Sequence, residues 1–287
     1  MTIAPVLTIA GSDSSGGAGV QADLKTMTML GCFGMSAITA LTAQNTLGVQ
    51  GICPVPAEFL KQQIAAVCED IPPAAVKVGM VYDTPQILAI AEAVAQYQLP
   101  HVVVDPVMVA TSGDPLLKQQ AQQALTEQLF PLAELLTPNL PEAEQLTGTS
   151  ITSPPQMEQA ARQLSETYHT AVLLKGGHSV GSCNDLLYAA GTATWFSGQR
   201  TDTPNTHGTG CTLSYGSGST TTMTACRTKQ MMRRIPQRTR RQLKMLPSRQ
   251  YSIIMTAASG SRTTRRIQPA QAQMQTANTH WRICPPG

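Results

Sequence analysis

The sequence predicts an α/β protein whose doubly wound, mostly parallel sheet is flanked by helices. Two observations carry this. Short runs of strand length, β-branched-rich and apolar on both faces, recur along residues 1 to 177, as buried parallel strands do. Longer helical patterns alternate with them, which is the rhythm of strand–helix–strand units.

The elements follow in order. "APVLTIAG" (4–11) is the first strand, and the helix after it covers 17–30, where Val20, Leu24, Met27 and Leu30 make one apolar stripe and Gly31 supplies the stop. "MSAITALTA" (35–43) is the second strand, with a helix at 56–69. "AAVKVGMV" (74–81) precedes a helix at 84–97, and "HVVVDPVMV" (101–109) one at 115–129. "AELLTPN" (133–139) precedes a helix at 154–167, and "AVLLKGG" (171–177) ends the parallel set. Near 183–199 the pattern changes to two strands about a turn at Gly191, an antiparallel hairpin at one end of the sheet. There is no internal repeat.

The 287 residues suffice for one large domain or two small ones. The net charge of +3 hides a division. Residues 1–214 hold 7 Lys/Arg and all 17 Asp/Glu, a balance of −10, whereas 215–287 hold 13 Lys/Arg and no acid. The seven cysteines are scattered without a C-x-x-C pair, so they read as reduced thiols and exclude a disulfide framework or a zinc site. The N-terminal stretch lacks a basic region, and no apolar run approaches the ~20 residues a membrane helix needs, so a soluble cytoplasmic protein is expected.

In such sheets ligands bind at the carboxyl ends of the strands, which directs attention to the residues there. In "THGTGCTLS", Gly208 and Gly210 let backbone N–H groups converge on an anion, and a helix opening near Cys211 adds its positive end. That setting favours the Cys211 thiolate as base or nucleophile; a plain turn and a small buried hydrophobe are the competing explanations. "GSDSSGGAGVQADLK" (11–25) allows close backbone approach to a ligand, with Asp13 and Asp23 adding carboxylates, but it fits neither the dinucleotide fingerprint nor the P-loop. Asp105 and Glu142, both following buried strands, suit a magnesium ion bound through waters, although helix capping accounts for Glu142 equally well. Lys175, at a strand end before two glycines, suits a phosphate contact or else a snorkelling surface lysine. Together these residues describe phosphoryl transfer by positioning and charge neutralisation.

The chain resembles the hydroxymethylpyrimidine/phosphomethylpyrimidine kinases of thiamine biosynthesis, in the ribokinase-like superfamily. The resemblance rests on "TIAGSDSSGGAGVQADLKT", "TALTAQNT", "KVGMV", "VVDPVMVATSG", "LTPNLPEAEQLTG", "LLKGGH" and "NTHGTGCTLS". It covers residues 1 to about 214, taken as one ribokinase-like kinase domain. Sugar kinases of the superfamily carry an Asp where this chain has Cys211. The resemblance implies ATP-dependent, magnesium-dependent phosphorylation of 4-amino-5-hydroxymethyl-2-methylpyrimidine and then of its monophosphate. It places Gly208 to Cys211 at the anion hole, with Cys211 the base on the substrate hydroxymethyl group. It gives the substrate to Asp23, the Gly11 backbone and Gln44, whose amide offers a donor and an acceptor to an aminopyrimidine edge. Met80 and Val107 are its apolar walls. Lys175, Thr209 and Asn139 serve ATP and phosphate, and Asp105 and Glu142 serve magnesium. A homo-oligomer is compatible with it.

Residues 215–287 depart from that pattern. Two glycines and three threonines closely follow Ser214, and at ~0.5–1 kcal/mol each relative to alanine they oppose the expected helix beyond its first turn. Three explanations compete: a basic extension binding nucleic acid or anionic surfaces, a disordered tail, and codons read out of frame. The abrupt change of composition inside a helix, with total loss of acids, favours the last, and nucleic acid is not expected as a partner. The altered tail sets the catalytic competence of this chain in question. A pyridoxal-type kinase is the alternative enzyme, and a catalytically impaired pyrimidine-binding remnant the alternative outside catalysis.

Overall fold

The computed structural model describes residues 3–108, 119–177, 183–198 and 208–214. Strand β1 (Pro5–Ala10) runs into helix α1 (Gly19–Met29), β2 (Phe33–Ile38) and then a hairpin of β3 (Ala40–Asn45) and β4 (Gly48–Pro54). Next come α2 (Ala57–Asp70), β5 (Ala75–Val78), α3 (Thr84–Gln96) and β6 (Val102–Val104). Helix α4 (Gln119–Ala124) continues through a π-helical turn (Leu125–Leu129) and a 3-10 turn (Phe130–Leu132) to β7 (Leu135–Leu136). Helices α5 (Leu140–Thr147) and α6 (Pro154–Tyr168), strands β8 (Ala171–Leu174), β9 (Asp185–Ala189) and β10 (Thr192–Phe196), and helix α7 (Thr209–Ser214) complete the described chain.

Eight strands form one sheet in the order β10-β9-β8-β7-β6-β5-β1-β2. The pairs from β2 to β8 are parallel, and β9 and β10 add antiparallel at one edge. This is the expected doubly wound, mostly parallel sheet. Strand β1 has β2 on one side and β5 on the other, so the chain reverses its direction of winding there, and a crevice opens at the carboxyl ends.

The core lies between the sheet and its helices. Leu7, Ile9, Val76, Val78, Val104 and Leu136 of the strands pack against Leu60 and Ile64 of α2, Ile87 and Ile90 of α3 and Leu164 of α6. The helical partners recur three or four residues apart, and each fully buried side chain contributes about 1.5–3 kcal/mol. Phe130 meets Tyr168 edge-on at 5.0 Å.

The second strand differs from expectation. "MSAITALTA" is not one strand but two, because the chain leaves the main sheet at Thr39 and enters the separate β3–β4 hairpin. Gln86 of α3 holds both roots of that hairpin: its Nε2 donates to the Thr39 carbonyl at 2.8 Å and to the Val55 carbonyl at 2.6 Å. Its Oε1 accepts from the Tyr82 N–H at 3.0 Å, so this buried amide ties the roots of the hairpin to the segment that leads into α3.

Strand β4 and helix α5 are additions to the expected elements. Glycine at 48 and 51 and Pro54 mask β4 as a strand. Residues 115–118 of the expected 115–129 helix, and all of 215–287, lie outside the described residues.

Candidate active site

Two of the acids singled out in the sequence, Asp105 and Glu142, gather with Lys175 where parallel strands end. Asp105 follows β6, and its N–H donates to the Val78 carbonyl at 2.8 Å. Lys175 follows β8, and its N–H donates to the Pro138 carbonyl at 2.9 Å. Across the short β7 between them, Lys175 Nζ donates to Asp105 Oδ1 at 2.7 Å, and Thr137 Oγ1 donates to the same oxygen at 3.1 Å. Lys175 is only 8 % exposed, which removes the surface-lysine explanation. Burial pushes the Asp105 carboxyl up, but the ammonium groups of Lys175 and Lys77 outweigh it and hold the carboxyl below its usual range.

Glu142 enters from α5. Asn139 Oδ1 accepts from the Glu142 N–H at 2.9 Å while Glu142 Oε2 accepts from the Asn139 N–H at 2.8 Å, a reciprocal capping box. The capping role foreseen as an alternative for Glu142 is therefore present, and it also commits the Asn139 side-chain oxygen. Burial lifts Glu142 from an ordinary 4.5 to about 7, with the neighbouring Asp105 charge adding to the rise and Lys175 opposing it.

The glycine turn meets this group directly. Helix α7 opens at Thr209, and a methyl group placed on Gly210 would lie 3.6 Å from Lys175 Nζ. Gly208 has φ +75°, and its Cα packs against the Gly17 carbonyl and Ala18 so closely that no side chain fits. The loop after β1 and the turn before α7 are thus one packed unit. Thr209 is exposed at its rim, while the side chain of Cys211 lies outside the described residues.

The wall residues also come together. Met80 shares an apolar cluster with Ala40 of the hairpin, and Val107 packs on it. A methyl group on Gly11 would fall 2.6 Å from Met80 Sδ, so glycine there is what allows the contact. Gln44 is anchored by its backbone, accepting from and donating to Ser14 Oγ at 2.7 and 2.8 Å, and its Oε1 accepts from Thr42 at 3.2 Å.

Asp23 is placed differently from the rest. It is 0 % exposed beneath the crevice, accepting from Lys77 Nζ at 2.7 Å and Thr8 Oγ1 at 2.6 Å, so no ligand reaches it in this arrangement. Burial pushes its carboxyl above the ordinary range against the pull of Lys77. Lys77 itself, hidden in an apolar strand, was not legible as a site residue. Asp13 has a sharper role than the sequence offered: its buried carboxylate accepts from the N–H groups of Ser15, Gly17 and Ala18 and from Ser15 Oγ at 2.8–3.0 Å.

Among the described residues no group of three or more His, Cys, Asp or Glu could hold a metal, and no helix is long and apolar enough to cross a membrane. Cys32, Cys53, Cys68 and Cys183 are free thiols.

Known proteins are similar to this chain in sequence and fold. The family model described as phosphomethylpyrimidine kinase matches residues 13–228. The hydroxymethylpyrimidine/phosphomethylpyrimidine kinase of Haemophilus influenzae is 50 % identical over 214 residues, covering 73 % of this chain and 80 % of that one. The thiamine biosynthesis bifunctional protein of Geobacter sulfurreducens is 52 % identical over 209 residues, 72 % of this chain, which spans only 43 % of that longer relative. Among solved structures, the phosphomethylpyrimidine kinase of Clostridium difficile superposes with TM-score 0.64 at 47 % identity, over 68 % of this chain and 84 % of that one. The pyridoxal kinase of Bacillus subtilis, solved with ADP, gives 0.67 at 37 % identity, over 74 % and 81 %. Fold, identity and matched length agree, and the chain belongs to the phosphomethylpyrimidine kinase family.

Proposed function

We propose that this chain transfers the terminal phosphoryl group of ATP to the hydroxymethyl oxygen of 4-amino-5-hydroxymethyl-2-methylpyrimidine, and then phosphorylates the monophosphate to the diphosphate. One observation carries the reading above all: the buried Lys175–Asp105 pair abuts Gly210 at the carboxyl ends of the parallel strands. A cation beside a glycine turn suits a transferred phosphate, whose chemistry asks mainly for positioning and charge neutralisation.

The residues divide the task. Gln44 reads the aminopyrimidine edge, the Gly11 backbone supports the substrate, and Met80 and Val107 sandwich its ring. Cys211 accepts the hydroxyl proton as the hydroxymethyl oxygen forms its new P–O bond and the bond to the ADP oxygen breaks. Gly208, Thr209 and Gly210 receive the phosphoryl oxygens on backbone N–H groups, with Lys175 neutralising their charge and Asn139 bordering the nucleotide.

Two buried carboxylates, with no cluster of three metal-ligating side chains among the described residues, fit magnesium better than a metal needing an all-protein cage, since magnesium keeps waters and takes phosphate oxygens. Asp105 and Glu142 would hold it. When bound, it would draw charge off the phosphate oxygens.

A pyridoxal-type kinase is the second reading, supported by the likeness to the Bacillus subtilis enzyme. We further propose that residues 215–287 are out of frame and weaken the nucleotide half of the site; sequencing the gene across the Cys211 codon tests this. The functional experiment is magnesium-dependent ADP release by the purified chain, with the pyrimidine and with pyridoxal. Release with the pyrimidine supports the main reading, and preference for pyridoxal replaces it. Pyrimidine binding without ADP release makes the segment after Ser214 the cause to test.

A further inference from the structure

Beneath the site lies an ion pair that the proposed chemistry does not use. Lys77, inside β5, is among the largest fully buried side chains of the described residues, at 1 % exposure. Its Nζ donates to Asp23 Oδ1 at 2.7 Å, and Thr8 Oγ1 donates to Asp23 Oδ2 at 2.6 Å, so one carboxylate ties β1, α1 and β5 together. Burying two charges costs several kcal/mol per ion, and apolar side chains of similar volume would hold three elements at least as well. An ion pair kept inside a valine-rich strand therefore points to a use other than stability.

The surroundings identify that use. Residues 77 and 79 face the same side of the sheet, and Asp105 follows Val104, the partner of Val78, which sets it beside Gly79. A methyl group on Gly79 would lie 3.3 Å from Lys77 Nζ, so the ammonium reaches along the strand toward its carboxyl end. There it acts electrostatically on Asp105. Gly79 donates to the Ile9 carbonyl at 2.9 Å, and the next residue, Met80, is fixed by Thr39 Oγ1 donating to its carbonyl at 2.7 Å and by the contact with Gly11. Charges of alternating sign, Asp23, Lys77, Asp105 and Lys175, thus run under the substrate wall and the phosphate side alike.

We propose that Lys77, ion-paired with Asp23, is a positioning residue that holds the Gly79–Met80 segment and the Asp105 carboxylate where the kinase reaction needs them. The inference rests on the kinase reading given above. Asp23 then acts through Lys77 instead of touching the pyrimidine.

The full chain and three variants test this: Lys77→Met, the double variant Lys77→Met with Asp23→Asn, and Thr8→Val. The measurements are the unfolding midpoint, the calorimetric affinity for 4-amino-5-hydroxymethyl-2-methylpyrimidine, and ADP release resolved into kcat and KM. Lys77→Met leaves Asp23 without its cation and lowers the midpoint. The double variant restores the midpoint, yet keeps kcat at least tenfold down and pyrimidine affinity at least fivefold down, with the KM for ATP within threefold. Thr8→Val, isosteric and charge-neutral, lowers kcat two- to fivefold. A folded double variant with wild-type kcat and affinity, or a silent Thr8→Val where the double variant does not fold, overturns the inference. If the wild-type chain binds pyrimidine without releasing ADP, the same comparison is made on affinity. A wild-type chain that neither binds nor turns over defeats the kinase reading itself, and this inference with it.

Discussion

Lys175 and Asp105 meet at 2.7 Å although 70 residues separate them in the chain, because each ends a parallel strand and only the two-residue β7 lies between. The sheet, not the local sequence, creates this pair. Removing either partner leaves a buried charge without its closest counterion, which costs about 3–5 kcal/mol. Asp105→Ala and Lys175→Met should each show that loss in denaturant unfolding, and each should lower ADP release by roughly a hundredfold or more. Unchanged stability in both would mean the pair does not form in solution.

Glu142 gives the folded chain a pH signature. Its carboxyl is lifted from 4.5 to about 7, chiefly by burial, so the folded state holds a proton that the unfolded chain has already released. The associated stabilisation is complete below pH 4.5 and is lost as pH rises through 7, a difference of about 3 kcal/mol. Glu142→Gln keeps an oxygen for the capping box and cannot ionise. It should be more stable than the wild type at pH 8 and show a flatter stability profile between pH 4.5 and 7, measured without magnesium. A profile parallel to the wild type would assign that titration to another group.

What the sequence revealed follows from how local each signal is. Strands β1 and β5, helices α1, α2, α3 and α6, and the hairpin at Gly191 are set by runs of neighbouring residues, and their expected spans agree with the structure within a few positions. The break at Thr39 was not readable, since it depends on Gln86, which lies 47 positions away. Helix α5 carried a legible signal in Asn139 and Glu142, the spacing of a capping box, with prolines at 138 and 141 obscuring it. Strand-end position was enough to single out Asp105 and Lys175. Lys77 was out of reach: a lone lysine in an apolar strand shows its meaning only when Asp23, 54 positions away, is brought against it.

Asp13 should act on the glycine-rich loop more than on the whole fold. Its carboxylate gathers four donors from Ser15, Gly17 and Ala18, and Gly17 and Ala18 in turn back Gly208. Asp13→Ala leaves those donors to solvent, at a cost of about 1–3 kcal/mol. Amide exchange at Gly17 and Ala18 should quicken well beyond that of β1 and β5, and ADP release should fall with it. Uniform acceleration across the sheet would instead make Asp13 a general stabiliser.

Gly208 and Gly148 separate backbone strain from close packing. Both have positive φ, +75° and +68°, where an L side chain costs about 1–2 kcal/mol. A methyl group on Gly148, at the end of α5, meets nothing within 4 Å, whereas one on Gly208 drives into the Gly17 carbonyl and lies 3.3 Å from Ala18 Cα. Gly148→Ala should therefore lower the unfolding midpoint by a few degrees and leave ADP release at the wild-type level. Gly208→Ala must also part α7 from the loop after β1, and with it Gly210 from Lys175. Its ADP release should drop at least tenfold, while its midpoint falls little further than that of Gly148→Ala, because α7 is a six-residue helix at the margin of the core. Equal behaviour of the two variants would show that the Gly17–Gly208 contact has no part in phosphoryl transfer.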